Sequence, residues 1–262
     1  MKRYIAIYKR LLVSNWNVFL EYRSDLVTRI LASLIYASWH LIVILLLTYK
    51  VPSVFGWTKY ELLLLASTYN VFISIYHMFI SRNLDRLADE IYFGRLDFVL
   101  LKPIDDQLST TLWIVDYVTL VRLLLGIITS LYIIHILQLT ITISMIIGYC
   151  ITIITGLFIL YSLWLPFITL MIFNPRLSNI VSFLFTLTNV AQYPKEMYAR
   201  LPVYIFVPLI PLALIMTTPT KVLLQKFSFS LGLEFFAVCI LLGTFSRLIW
   251  KFSLRFYTGA SA

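Results

Sequence analysis

The chain has 262 residues, 61% hydrophobic, 16% aromatic and 13% charged, and its 21 Lys and Arg outnumber 12 Asp and Glu for a formal charge of +9. Soluble domains run nearer roughly 45–50% apolar and 25% charged, so an ordinary globular enzyme is excluded, as is a disordered chain. The cations punctuate apolar stretches, so their excess is read as membrane topology and not as affinity for nucleic acid.

Residues 1–24 are not a secretory signal, because Lys9 and Arg10 interrupt any apolar region and no small-residue cleavage site follows. Tyr8, Leu12, Trp16, Phe19 and Leu20 recur at helical spacing, with Lys2, Arg3, Lys9 and Asn17 elsewhere on the wheel. This pattern suits an elbow helix lying in the headgroup plane of the bilayer.

A helix needs about 20 apolar residues to cross the hydrocarbon core. Twenty uncharged residues separate Arg29 from Lys50, and twenty more separate Glu61 from Arg82, which gives two spans. The 53 residues between Arg122 and Arg176 hold two more, divided near residues 136–140. Eighteen residues between Arg176 and Lys195 suffice for a fifth, and residues 227–246 form a sixth around Glu234.

Residues 82–103, between the second and third spans, belong to a loop carrying half of the acids in the chain. Leu84, Leu87, Ala88 and Ile91 follow the i, i+3, i+4, i+7 rule, so residues 82–93 read as an amphipathic helix. Gly94 stands where a left-handed cap would end it, and Pro103 marks the turn before the next helix. The apolar stripe needs burial, either on a partner or back on its own bundle.

The remaining apolar stretch, residues 194–220, contains Pro194, Pro202, Pro208, Pro211 and Pro219. An interior proline costs a helix about 3 kcal/mol, so two half-helices that dip in and return are expected rather than a straight span. Six crossings with the N-terminus inside place thirteen Lys and Arg in cytoplasmic segments and six outside. A seventh would expose Arg247, Lys251 and Arg255 on the outer side, against the positive-inside bias.

Polar residues within spans usually face other helices or a wet cavity. Ser67, Asn70, Ser74 and His77 share a face of the second span, as Ser178, Ser182, Thr186 and Asn189 do on the fifth. The first span offers Ser33, Tyr36, Ala37 and His40. These stripes fit either a substrate path or ordinary interhelical bonding. Glu234 is expected at the interface or paired with Lys221 or Lys226, and Arg122 paired with Asp116 or reaching headgroups. His40, His77 and His135 lie on different spans without acidic neighbours at metal spacing, so no metal site is expected. Cys150 and Cys239 sit in apolar runs, where packing is their expected role.

The run GRLDFVLLKP, Gly94 to Pro103, resembles the loop after the second span in type-2 permeases of ATP-binding-cassette (ABC) exporters. The proline-rich AQYPKEMYARLPVYIFVPLIPLALIMTTPT resembles the segment before their final span, and FYTGASA their cytoplasmic tail. The resemblance implies a single all-α integral membrane domain: elbow helix, six transmembrane helices, coupling helix after the second span, re-entrant segment before the sixth. It also implies a pair of permease subunits docked on cytoplasmic ABC ATPases that bind ATP and Mg. Leu84, Leu87, Ile91, Gly94, Asp97 and Pro103 would then form the main ATPase contact, and Pro175 with Arg176 a smaller one. The first, second and fifth spans would surround the pathway and the subunit interface. No G-x-x-x-x-G-K-[ST] occurs, so nucleotide hydrolysis is expected from a separate chain, with no catalytic residue or cofactor in this one. A secondary transporter would need coupling-ion sites in an internal repeat, and a membrane enzyme facing acids or histidines at one depth. Neither pattern is present.

Overall fold

Long apolar runs lack side chains that could satisfy backbone groups, so the backbone bonds to itself and the chain is helical almost throughout. A computed structural model describes residues 2–21, 23–49, 51, 53–102, 105–111, 113–198 and 202–257. Helix α1 (Lys2–Glu21) leads into α2 (Arg23–Leu47). A hairpin of β1 (Ser53–Val54) and β2 (Trp57–Thr58) turns at Phe55 and Gly56, both at positive φ. Helix α3 (Lys59–Tyr76) begins where Glu61 reaches back to the Thr58 N–H at 2.9 Å. It passes through a π turn (His77–Ser81) directly into α4 (Arg82–Tyr92).

Two short helices, α5 (Asp97–Leu100) and α6 (Asp106–Thr111), precede α7 (Leu120–Ile136) and α8 (Ile143–Thr169). Helix α9 (Ile180–Thr188), α10 (Lys195–Tyr198), α11 (Val203–Leu223) and α12 (Phe229–Leu254) complete the bundle. Five helical stretches among the described residues are long and apolar enough to cross a membrane: Leu26–Leu47, Lys59–Tyr92, Tyr117–Ile136, Ile143–Ile172 and Phe229–Leu254.

Helix α3 is the centre. It is buried on nearly every side, and its Tyr69, Phe72 and Tyr76 share one core with Leu160 and Trp164 of α8, Ile215 of α11, and Phe235 and Trp250 of α12. Helix α2, by contrast, exposes Ile35, Trp39 and Leu46. One end of the bundle gathers the β hairpin, the α7–α8 turn, α10 and the C-terminus of α11. Ion pairs Lys226–Glu61, Lys221–Glu196 and Lys195–Glu234 bind it together. Glu234 thus pairs with Lys195, and the two lysines expected to meet it serve other acids. The opposite end gathers α4–α6 and the C-terminus of α12, where Arg247 bonds Asp105 at 2.8 Å.

The structure departs from the sequence reading in two elements. The fifth apolar segment is short, Ile180–Gln192, because Pro175, Asn179 and Asn189 draw its borders into 3-10 turns. The proline-rich segment is not two half-helices, since α11 runs unbroken from Val203 through Pro208, Pro211 and Pro219. Pro202 caps its start, and Pro194 precedes α10. The Thr217 and Thr220 hydroxyls bond back to the Ala213 and Met216 carbonyls at 2.7 and 2.8 Å. Pro219 denies the Ile215 carbonyl its helical donor, and here α8 presents Gly156: a Cβ on it would stand 3.2 Å from Ile215 Cγ2. Burial against α8 accompanies the broken ladder, and broken backbone is tolerated where protein covers it.

Candidate functional site

Gly126 of α7 sets the site. A Cβ there would lie 2.9 Å from the Val71 backbone nitrogen, so only glycine lets α7 close onto α3. One turn earlier on α7, Arg122 donates from Nε and Nη2 to Asn70 Oδ1 at 3.1 and 3.0 Å. Asn70 in turn donates to the Ala37 carbonyl at 3.2 Å, so one amide ties α2, α3 and α7 together. Arg122 is only 5% exposed, and its guanidinium lies 4.9 Å from the Tyr36 ring and 5.8 Å from that of Tyr69. Asp116 does not pair with it. That carboxylate caps the turn before α7 and takes Arg29 at 2.9 Å and Arg82 at 2.8 Å instead.

Beside Arg122 is a cavity of about 480 Å³ between α2, α3, α7 and α9. Arg29, Ser33, Tyr36, His77, Thr186 and Asn189 are among its walls. A second cavity of about 300 Å³, lined by Trp39, His40 and Gln192, shares Tyr36, Tyr69 and Asn189 with the first. The Tyr36 and Tyr69 hydroxyls both donate to Asn189 Oδ1, at 3.3 and 3.4 Å, and form a polar partition between the two spaces.

The expected polar stripes therefore divide. His77 reaches the first cavity, stacked 5.9 Å from Phe185, while His40 reaches the second with Nδ1 at 2.9 Å from the Tyr36 carbonyl. Ser67 and Ser74 are buried: Ser67 joins α3 to α7 by accepting from Ser130 at 2.9 Å, and Ser74 donates to the Asn70 carbonyl of its own helix. Thr186 lines the first cavity, bonded to the Ser182 carbonyl, and the Ser182 side chain is exposed. Among the described residues no three His, Cys, Asp or Glu side chains gather as a metal-binding group.

At the α4 end, Leu84, Leu87 and Ile91 pack inward with α8 and the 3-10 turns around it. This corrects the expectation that they form a docking face, because a stripe that meets its own bundle is not available to a partner. What protrudes is the turn beyond it. Gly94, at φ 66°, ends α4 with the Arg95 N–H on the Glu90 carbonyl at 2.8 Å. Around this turn Tyr92, Phe93, Phe98 and Leu101 stand exposed, Phe98 at 72% and Leu101 at 81%. Asp97 opens α5, and Pro103 lies outside the described residues. Pro175 opens the 3-10 turn packed on α4, and the Phe173 ring beside it lies tilted against Phe256, centroids 5.6 Å apart. The Arg176 side chain also lies outside the described residues.

Sequence reasoning missed Asn83. It is wholly buried, donates to the Phe79 and Ile114 carbonyls, and accepts from the Trp113 and Ile114 N–H groups, all at 2.8–2.9 Å. Its signal was an amide next to Leu84, on the apolar flank of an amphipathic helix.

Residues 34–261 match the family model described as ABC-2 family transporter protein. The chain belongs to this family. The match takes in most of α2, both cavities, the exposed turn after α4, and α7 to α12. No curated protein and no solved structure matches the chain. As an ABC-2 transporter chain it is an integral membrane permease component of a transport system, and not itself the catalytic part.

Proposed function

We propose that this chain is the permease subunit of an ATP-driven exporter, pairing with a second permease subunit and docked on cytoplasmic ABC ATPases that hold ATP and Mg. The observation that carries the reading is the apolar turn of Tyr92, Phe93, Phe98 and Leu101, projecting from a helix whose other apolar face is already buried. An exposed cluster of aromatics on a buried, rigid base is what a protein partner recognises. The 3-10 turn that Pro175 opens packs on the same helix, and Pro175 with Arg176 is the smaller contact. The open flanks of α2 and α9 serve the second permease.

The reading includes six crossings of the cell membrane with both termini cytoplasmic. Helices α2, α3, α7, α8 and α12 supply five, and Ile180–Gln192 with its flanking turns the short sixth. Helix α10 and the C-terminus of α11 lie at one end, joined by Lys221 and Glu196, so the intervening chain enters and returns. That supports a re-entrant segment at residues 194–220. The elbow assignment draws on the exposed apolar residues of α1, which Trp16 and Tyr117 fasten to the bundle at 5.1 Å.

Co-purification of the tagged full chain tests the proposal. An ABC ATPase recovered in stoichiometric amount is the expected result, and a chain that transports with no ATPase attached refutes it. Cysteine labelling at Arg255→Cys is expected only from the cytoplasmic side; labelling from outside refutes the crossing count.

A further inference from the structure

Arg122 is a cation buried against tyrosines and one neutral amide. Its Nε and Nη2 are used by Asn70, while Nη1 has no partner among the described residues and no described carboxylate pairs with the group. A buried charge without a counter-ion is costly, and an ionisable residue at membrane depth generally marks a ligand or ion path. Arg29 stands on the same cavity wall, and the nearby Asp116 is shared between Arg29 and Arg82. Arg29 and Arg122 thus bring two guanidiniums to one side of the cavity. Its remaining lining mixes apolar side chains, among them Ala32, Ile73, Val118 and Phe185, with polar ones such as Ser33, Thr186 and Asn189. A volume of about 480 Å³ falls within the roughly 300–1,000 Å³ of ligand pockets.

We propose that this cavity takes the anionic head group, phosphate or carboxylate, of an amphiphile, with the free edge of Arg122 as its charge partner and the apolar part of the lining, Ala32, Ile73, Val118 and Phe185, receiving the start of its tail. Guanidinium is suited to this because its planar N–H donors match the oxygens of phosphate and carboxylate. The site rests on the transport reading for its role as a cargo site, and on the cavity alone for its chemistry. In the proposed topology Arg29 and Arg122 lie near the cytoplasmic ends of their spans, at the depth where inner-leaflet head groups are found.

The test uses the full chain in nanodiscs of neutral phosphatidylcholine, with displacement of a fluorescent lysophosphatidic acid as the readout. Unlabelled lysophosphatidic acid is expected to compete about tenfold or more better than lysophosphatidylcholine, as a charge-assisted contact implies. Inorganic phosphate, which has no tail, is expected to compete far more weakly; equal competition would overturn the amphiphile assignment. Arg122→Gln is expected to abolish the anion preference and Arg122→Lys to keep most of it. Ser33→Asp, which sets a carboxylate in the cavity wall without touching the Arg122–Asn70 bond, is expected to abolish it too. Should Arg122→Gln fail to assemble, Ser33→Asp decides. An anion preference unchanged in well-folded Ser33→Asp, or absent in the wild type, overturns the proposal. A chain that retains its ATPase but shows no preference sinks this site alone, and a preference without any ATPase partner sinks the transport reading alone.

Discussion

Truncating Leu87 and truncating Phe98 should damage different things. Leu87 is 1% exposed and sits in the main core between α4 and α8. Leu→Ala at such a site costs about 2–5 kcal/mol, the lost contacts plus the cavity left behind. Phe98, 72% exposed, touches little of its own chain, so Phe98→Ala should change permease stability by about 0.5 kcal/mol or less. As an aromatic anchor for a partner, though, it should be worth about 1–2 kcal/mol of docking, or roughly five- to thirtyfold in ATPase affinity. The assay is a thermal melt of each purified variant beside its binding isotherm for the partner ATPase. Leu87→Ala should melt well below wild type, and Phe98→Ala should melt with wild type but bind weakly. If Leu87→Ala melts normally yet loses the ATPase, the stripe of α4 leaves the core on assembly and the assignment of faces is wrong.

Gly126→Val should lower the melting temperature, because backbone sits 2.9 Å from where a Cβ would go and helix separation costs about 1–3 kcal/mol; a variant that melts like wild type would show that α7 and α3 are not in close contact. Lys226→Met should destabilise by about 1–3 kcal/mol by leaving the buried Glu61 carboxylate without its cation, whereas Glu61→Gln, which keeps an acceptor for the Thr58 N–H, should cost less. Equal melts for the two variants would refute that ordering. At Glu196, burial pushes the carboxyl up, but hydrogen bonds from Lys221 and from Trp57 Nε1 outweigh it and hold the group below its ordinary value. A depressed folded-state pKa contributes stability above the unfolded value and loses it as pH falls through the folded one. Stability should therefore fall as the medium drops below about pH 4, and Glu196→Gln should flatten that acid limb; an unchanged limb refutes it.

How much was legible follows from what each signal encodes. The spacing of Leu84, Leu87, Ala88 and Ile91 gave a helix with the right bounds and Gly94 its left-handed end, since both depend on local geometry. The same spacing names a buried face and not what covers it, so the stripe's destination in its own bundle was out of reach. Charge-free length found five long spans but overstated the one after Pro175, where Asn and Pro at the borders outweigh apolar content. Proline counting failed on α11 because its penalty is local, while packing against α8, with Gly156 at the contact, is tertiary and lies where no helix rule inspects. Arg122 was visible as a cation in a span. Its partner was not, because the choice between Asp116 and Asn70 depends on α7 lying against α3, which Gly126 permits.

The joint between the exposed turn and the cavity shows how the two halves of the site belong together. Helices α3 and α4 form one rod interrupted only by the π turn His77–Ser81, and His77 lines the cavity. Such turns insert a residue into the helical ladder and recur at functional sites. The joint is clamped from the side: the Asp116 N–H bonds the Met78 carbonyl at 3.0 Å, and Asn83 holds residues 113–114 through three hydrogen bonds. Asp116 then grips Arg29 of α2 and Arg82 of α4 with one carboxylate. A tilt imposed on α4 by a docked ATPase would therefore reach Arg29 and the cavity wall through this short chain of polar contacts. Spreading it instead through α3 would mean disturbing the most enclosed helix in the protein. The weak point of the rod and the strongest polar clamp coincide at the cavity, which is where a transporter has to convert a push at its surface into a change in its binding site.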